Sequence, residues 1–297
     1  NDIFLFKNRL GFLAGENVIM SESGKFFSFF RTTVVDLLDG DPIDVASAHN
    51  RVAVLRHAAP LAQKLVLFSD TNQFILEGQP TLTPKTVAMA HATSYECLIN
   101  CSPESIGASI MFGFDRGSFS GVREYVAEDA VEDVYTGPDI SSHIPKYIPG
   151  KITRMTAASH ENVMACMTDG DTDALYIYNF LDSGSERLQS AWHKFTLGTD
   201  AKILGIGFID TDLFMVVHRT QGVFIEKIPF EPGKTDPNLS FVCRLDRRFT
   251  ASTAGVSVNF TSGANPLVDD ITTVTMPYQK RGRDIELITE RGERFTP

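Results

Sequence analysis

The sequence predicts an all-β protein: a β-propeller-like repeat of four-stranded antiparallel blades over residues 1–245, five or more in number, and the beginning of a second small β domain over 246–297. Three observations carry this. Windows with apolar residues at i, i+3, i+4 and i+7 are scarce. Short apolar and aromatic runs bounded by Gly, Ser, Asp and Asn are frequent instead. The turns between them also recur. They start near residues 21, 69, 115, 181 and 219, in steps of 48, 46, 66 and 38, close to the roughly 40–50 residues of a propeller blade.

The elements follow in order. Five hairpins are readable. The first joins Asn17–Met20 to Lys25–Phe30 across SESG, and the second joins Leu65–Phe68 to Gln73–Glu77 across SDTN. The third joins Ser109–Phe114 to Val122–Val126 across a longer DRGSFSG loop. The fourth joins Leu175–Phe180 to Leu188–Phe195, and the fifth joins Leu213–His218 to Val223–Ile228. Their turn residues tolerate positive φ or bond back to their own backbone. Strand-like runs at Phe4–Phe12, Val52–Leu55, Val163–Met167 and Ile203–Ile209 supply further strands. Pro42–Ala62 is the best helical candidate, broken at His57–Pro60. The long step contains YTGPDISSHIPKYIPG, which reads as an insertion. Phe26, Phe27, Phe29 and Phe30 are expected to fill the core, since each aromatic ring buries ~150–250 Å². Beyond Leu245 the strands become shorter and Thr-rich, with a break at Pro277.

Bulk properties narrow the function. The chain has 297 residues, 43 % apolar and 22 % charged, an ordinary globular balance. No stretch approaches the ~18 apolar residues of a membrane span, and the start does not resemble a signal segment. Both ends read as cuts in a longer polypeptide. The net charge of −10 disfavours a surface that grips nucleic acid by neutralising phosphates. Acidic residues cluster at Asp36/Asp39/Asp41/Asp44, at Glu124/Glu128/Asp129/Glu132/Asp133 and at Asp169/Asp171/Asp173; the main basic cluster is Lys280/Arg281/Arg283. Such runs read as solvated loops. Cys97, Cys101, Cys166 and Cys243 form no CxxC and read as reduced, mostly buried thiols, with a Cys97–Cys101 disulfide as the other reading.

The motifs of catalysis are missing. GSFSG at 117–121 puts Phe119 where a nucleophilic serine would stand, and GIGF at 205–208 lacks the third glycine of a dinucleotide fingerprint. DGDTD at 169–173 lacks the sixth-position Gly and the twelfth-position Glu of a calcium loop. His49, His57, His91, His143, His160, His193 and His218 are scattered without ligand spacing. No catalytic, cofactor-binding or metal-binding residue is therefore assigned, no cofactor is expected, and the protein reads as a non-enzyme. Asn238 and Asn259 match the glycosylation pattern, with nothing to indicate secretion.

Several long strings are more specific. FLFKNRLGFLAGENVIMSESGKFFSFFRTT at 4–33, DPIDVA at 41–46, KLVLFSDTNQFILEGQPTLTPKT at 64–86, ALYIYNFLDSGSERLQSAWHKF at 174–195 and FVCRLDRRF at 241–249 resemble the tail tubular protein B, or tail nozzle, family of short-tailed bacteriophages. The resemblance runs from the first residue to about 250. It implies a structural virion protein, made in the host cytoplasm and placed in the phage tail. It further implies a homo-oligomeric, hexameric ring below the tail adaptor (tubular protein A) ring, supporting tail fibres and extending the DNA ejection channel. DNA would pass without sequence-specific binding, and no membrane span is expected. The alternative is a propeller-type hydrolase or binding module acting on host surface polysaccharide.

Overall fold

The computed structural model describes residues 1–47, 52–129, 134–183, 186–198, 200–235, 241, 256–261, 263, 271–276, 287–289, 291 and 293–295. Among these residues there is no helix, and the fold is all-β, built largely of four-stranded antiparallel sheets. The chain divides into two compact units, Asn1–Phe230 and Glu231–Pro297.

Among its described residues the first unit holds five sheets. The first comprises β1 (Ile3–Phe6), β2 (Arg9–Ala14), β3 (Asn17–Met20) and β4 (Ile43–Ala46), and the second β5 (His57–Leu61), β6 (Lys64–Phe68), β7 (Gln73–Gly78) and β8 (Val87–Thr93). The third comprises β9 (Glu104–Ile106), β10 (Ser109–Arg116), β11 (Phe119–Asp129), β12 (Val134–Thr136) and the short β13 (Ile148–Pro149). The fourth comprises β14 (Ile152–Ala158), β15 (Val163–Thr168), β16 (Ala174–Ser183) and β17 (Glu186–Thr196). The fifth has three strands, β18 (Lys202–Ile209), β19 (Asp212–Arg219) and β20 (Gly222–Pro229). Within each sheet the strands pair in chain order, as in a blade, except that β13 pairs with β11.

Side-chain alternation explains how the sheets stack. Successive residues of a strand face opposite sides. In the second sheet, Leu65, Leu67, Phe74 and Leu76 pack toward the first sheet, while Val66, Phe68 and Ile75 pack toward the third. In the fourth, Met164, Cys166, Tyr176 and Tyr178 meet the third, and Val163, Ala165, Leu175 and Ile177 meet the fifth. The inner strands KLVLF and ALYIY are continuous apolar runs because both of their faces are covered. The stack is open: the outer faces of the first and fifth sheets carry exposed apolar side chains, among them Ile3, Leu5, Leu204 and Ile225.

The second to fifth hairpins form as expected. The first does not. β3 pairs with β2 and β4, and Lys25–Phe30 is no strand: Lys25 makes an isolated bridge with Glu22 beyond the end of β3, and the Glu22 N–H donates to Ser28 O. Residues 21–42 instead leave the sheet as an excursion. The run Phe4–Phe12 is itself a hairpin, turned by Lys7 and Asn8 at φ 43° and 61°. Over Pro42–Ala62 the described residues carry β4 and β5 in place of a helix. Val52–Leu55 is not a strand, although Ala53 and Leu55 are buried in the first core. The DRGSFSG loop closes to a two-residue turn, because β10 and β11 stay paired to Arg116 and Phe119. The insertion folds back: Ile148–Pro149 pairs with β11, and Ile140 N–H donates to Val122 O.

The second unit is described through two hairpins, β21 (Ser257–Thr261) with β22 (Ile271–Thr275), and β23 (Leu287–Ile288) with β24 (Arg294–Phe295). Cys243, His49, Asn238, Pro277, the Lys280/Arg281/Arg283 cluster, Glu132 and Asp133 lie outside the described residues.

Candidate functional site

The residue types suited to chemistry are, wherever described, mostly absorbed by the fold. Cys97, Cys101 and Cys166 are free and buried. Burial pushes the Cys97 and Cys101 thiols up to about 12 and raises Cys166 as well, which removes them as nucleophiles. His57 Nε2 lies 2.9 Å from Ile99 O, and His91 Nε2 lies 3.2 Å from Asn72 Oδ1. His143, His160, His193 and His218 are separate surface residues. Among the described residues no three His, Cys, Asp or Glu side chains gather as metal ligands. In the DGDTD turn, Asp171 accepts from Tyr176 Oη at 2.8 Å and pairs with Lys194.

Two acidic clusters are likewise structural at their centres. Glu124 is buried rather than solvated, and Arg187 of β17 grips it with both Nη1 and Nη2 while also bonding Asp182. This joins β11 of the third sheet to β17 of the fourth. Asp41 is buried too, and its Oδ2 accepts the Leu38 N–H at 2.9 Å.

What stays open is the excursion between β3 and β4. Its base is held by Arg9, which is 1 % exposed. Arg9 Nη1 donates to Ser21 O at 2.7 Å, Asp41 O at 2.7 Å and Gly40 O at 3.3 Å, and Nη2 donates to Asp39 O at 2.9 Å. One guanidinium thus satisfies carbonyls at both ends of the departing chain. Beyond this pin, Phe29 packs on Phe12 with ring centroids 5.4 Å apart. Phe12 is partly covered by this contact and lies on the outer face of the first sheet, level with Ile3 and Ile19. The remaining apolar side chains point to solvent: Phe27 is 93 % exposed, Phe30 87 % and Val34 100 %, with Phe26, Val35 and Leu38 also exposed. Residues Gly24–Phe30 curl around a wide concavity of about 580 Å³.

The expectation that Phe26, Phe27, Phe29 and Phe30 fill the core is therefore corrected; only Phe29 is engaged with the sheet. Local composition misleads here because a buried strand and an exposed apolar segment share it. Arg9 and Arg187 escaped the sequence reading. The available signal was a lone cation in a strand: Arg9 stands at an inward position of RLGFLA, where only a fully bonded guanidinium is tolerated.

Residues 1–292 match the family described as bacteriophage nozzle protein. Tail tubular protein gp12 of Escherichia phage T7 is 34 % identical over 236 residues, a span covering 80 % of this chain and 30 % of that protein. The chain thus corresponds to well under half the length of this relative. Among solved structures, Hsv2 of Kluyveromyces lactis superposes with a TM-score of 0.49 at 9 % identity, covering 93 % of this chain and 85 % of that one. A quinoprotein alcohol dehydrogenase-like protein of Bacteroides thetaiotaomicron superposes with a TM-score of 0.41 at 8 % identity, covering 77 % and 63 %. At this level neither superposition bears on function.

Proposed function

Because this chain belongs to the bacteriophage nozzle protein family, we propose that it is part of a non-catalytic subunit of the phage tail nozzle. The subunit is made in the host cytoplasm and assembles into a hexameric ring below the adaptor ring. It extends the DNA ejection channel and supports the fibres. In this reading residues 1–245 are the propeller-like part and 246–297 begin the next β domain. The observation that carries it is the family match over residues 1–292.

The physics supports the same role. A conduit must not hold its cargo. Backbone affinity for DNA scales with the phosphates neutralised by Lys and Arg, and this chain carries a net charge of −10. A channel wall must also be stiff. Face-to-face blades leave few open sheet edges, and inter-blade ties such as Arg187–Glu124 oppose shear. No helix among the described residues is long and apolar enough to cross a membrane.

Electron microscopy of the full-length polypeptide mixed with its adaptor ring tests the proposal. The expected result is a six-fold ring with a continuous central channel. Absence of a ring in the mixture, together with its absence from purified tails, refutes it.

A further inference from the structure

We infer that the aromatic excursion at residues 24–38 is a subunit-to-subunit contact, docking on the outer face of the fifth sheet of a second copy of this chain. The inference rests on the ring reading above and names the surface that would build it.

A closed cyclic ring is heterologous: each copy presents two different, complementary patches. The first unit has such a pair, at opposite ends of the stack. At one end stands the excursion over the first sheet. Its exposed Phe26, Phe27, Phe30, Val34, Val35 and Leu38 present on the order of 700 Å² of apolar surface, close to the ~800 Å² per partner of a standard interface. A monomer rarely shows water so many large apolar side chains on one short segment. Arg9 fixes the base of the excursion, so part of the ordering entropy of docking is already met.

At the other end is the outer face of the fifth sheet. Its register brings Val216, Ile225 and Val223 to one side, Leu204 stands in the bulge between Ile203 and Gly205, and all four are exposed. Gly205 and Gly207 lie among them with nothing above their Cα positions, leaving shallow ground for aromatic rings. Lys202 is exposed at its margin, where Lys227 is already paired with Asp212 Oδ2 at 2.9 Å, while the excursion carries exposed Asp36 and Asp39. Charge thus favours this pairing over an anionic lipid surface, which those carboxylates would repel.

Photo-crosslinking in intact particles tests the contact directly. A benzoyl-phenylalanine placed at position 27 of the full-length protein is expected to form a covalent dimer of this chain, crosslinked within residues 202–229. A crosslink to another tail protein, to lipid, to its own copy or to nothing overturns the inference. In solution, Phe27→Ser with Phe30→Ser is expected to weaken self-association at least ~100-fold, as loss of two aromatic anchors should. The thermal midpoint should hold, because both rings are exposed. Equal assembly of wild type and variant also overturns it. Ring number read separately by electron microscopy distinguishes a wrong contact from a wrong ring.

Discussion

At the residue scale, Arg9 is the side chain on which the excursion depends. It serves carbonyls from Ser21 to Asp41 from an otherwise apolar face. Arg9→Ala leaves those acceptors bare in the interior and should destabilise the first unit by about 3 kcal/mol or more, read as a lower urea midpoint. Limited proteolysis should cut first between residues 22 and 41. Arg9→Lys should recover only part of the loss, since an ammonium lacks the fork. A second residue-scale effect concerns pH. Burial raises the Glu104 carboxyl to about 7, with Arg154 opposing, whereas an unfolded chain releases that proton near 4.5. The folded state therefore binds the extra proton, and this group's contribution is fully present below about pH 4.5 and lost as pH rises toward 7. Glu104→Gln should remove the loss, with a gain over wild type that is near zero at pH 4.5 and grows to about 2 kcal/mol by pH 8. Parallel denaturation curves across that range check the sign. Neither residue was legible as special beforehand: Arg9 is one cation inside an apolar run, and Glu104 is one of many acids whose burial only the fold decides.

At the scale of elements, the hairpins that were legible are those whose partners are adjacent in the chain and whose turns carry Gly, Asp, Ser or Asn. SDTN between β6 and β7 and RTQG between β19 and β20 are examples. The failures have separate causes. β3 finds β4 only after an excursion of 22 residues, so the nearest apolar run, KFFSFF, was a false partner. The Lys7–Asn8 turn was hidden because neither residue is glycine, yet both take positive φ. A device repeated in two blades was also invisible. Phe4 lies over Gly11, and Phe114 over Gly121, each a cross-strand pair in which a Cβ would meet the ring within 2.5 Å. Between blades, the Arg187–Glu124 tie invites a double-mutant cycle. Arg187→Leu alone leaves a buried carboxylate without its partner and should cost about 3 kcal/mol. Arg187→Leu with Glu124→Leu should recover most of that, because two apolar side chains need no counter-charge there. Urea denaturation of the four proteins measures the coupling. Additive losses would show that the pair contributes through packing alone.

At the scale of the molecule, the stack of blades has a consequence that no single sheet has. Three inner sheets bury both faces, while the first and fifth each leave one apolar face to water. Blades that bury both faces gain cohesion from every added neighbour, so an open end is a site of adhesion. The fifth sheet allows the cleaner test, since no excursion folds over it among the described residues. Leu204→Lys with Ile225→Lys places two charges on that outer face, where Ile225 is 76 % exposed. Folding stability should change by less than about 1 kcal/mol, because neither side chain contributes to the core. Concentration-dependent association should fall, with light scattering moving toward monomer mass at concentrations where wild type is larger. The apolar ends, not the charge of −10, would then govern assembly, and raising salt should leave wild-type association intact, because screening weakens charge pairs far more than apolar contact. Association that dissolves in salt and survives the two lysines would place the adhesive surface elsewhere.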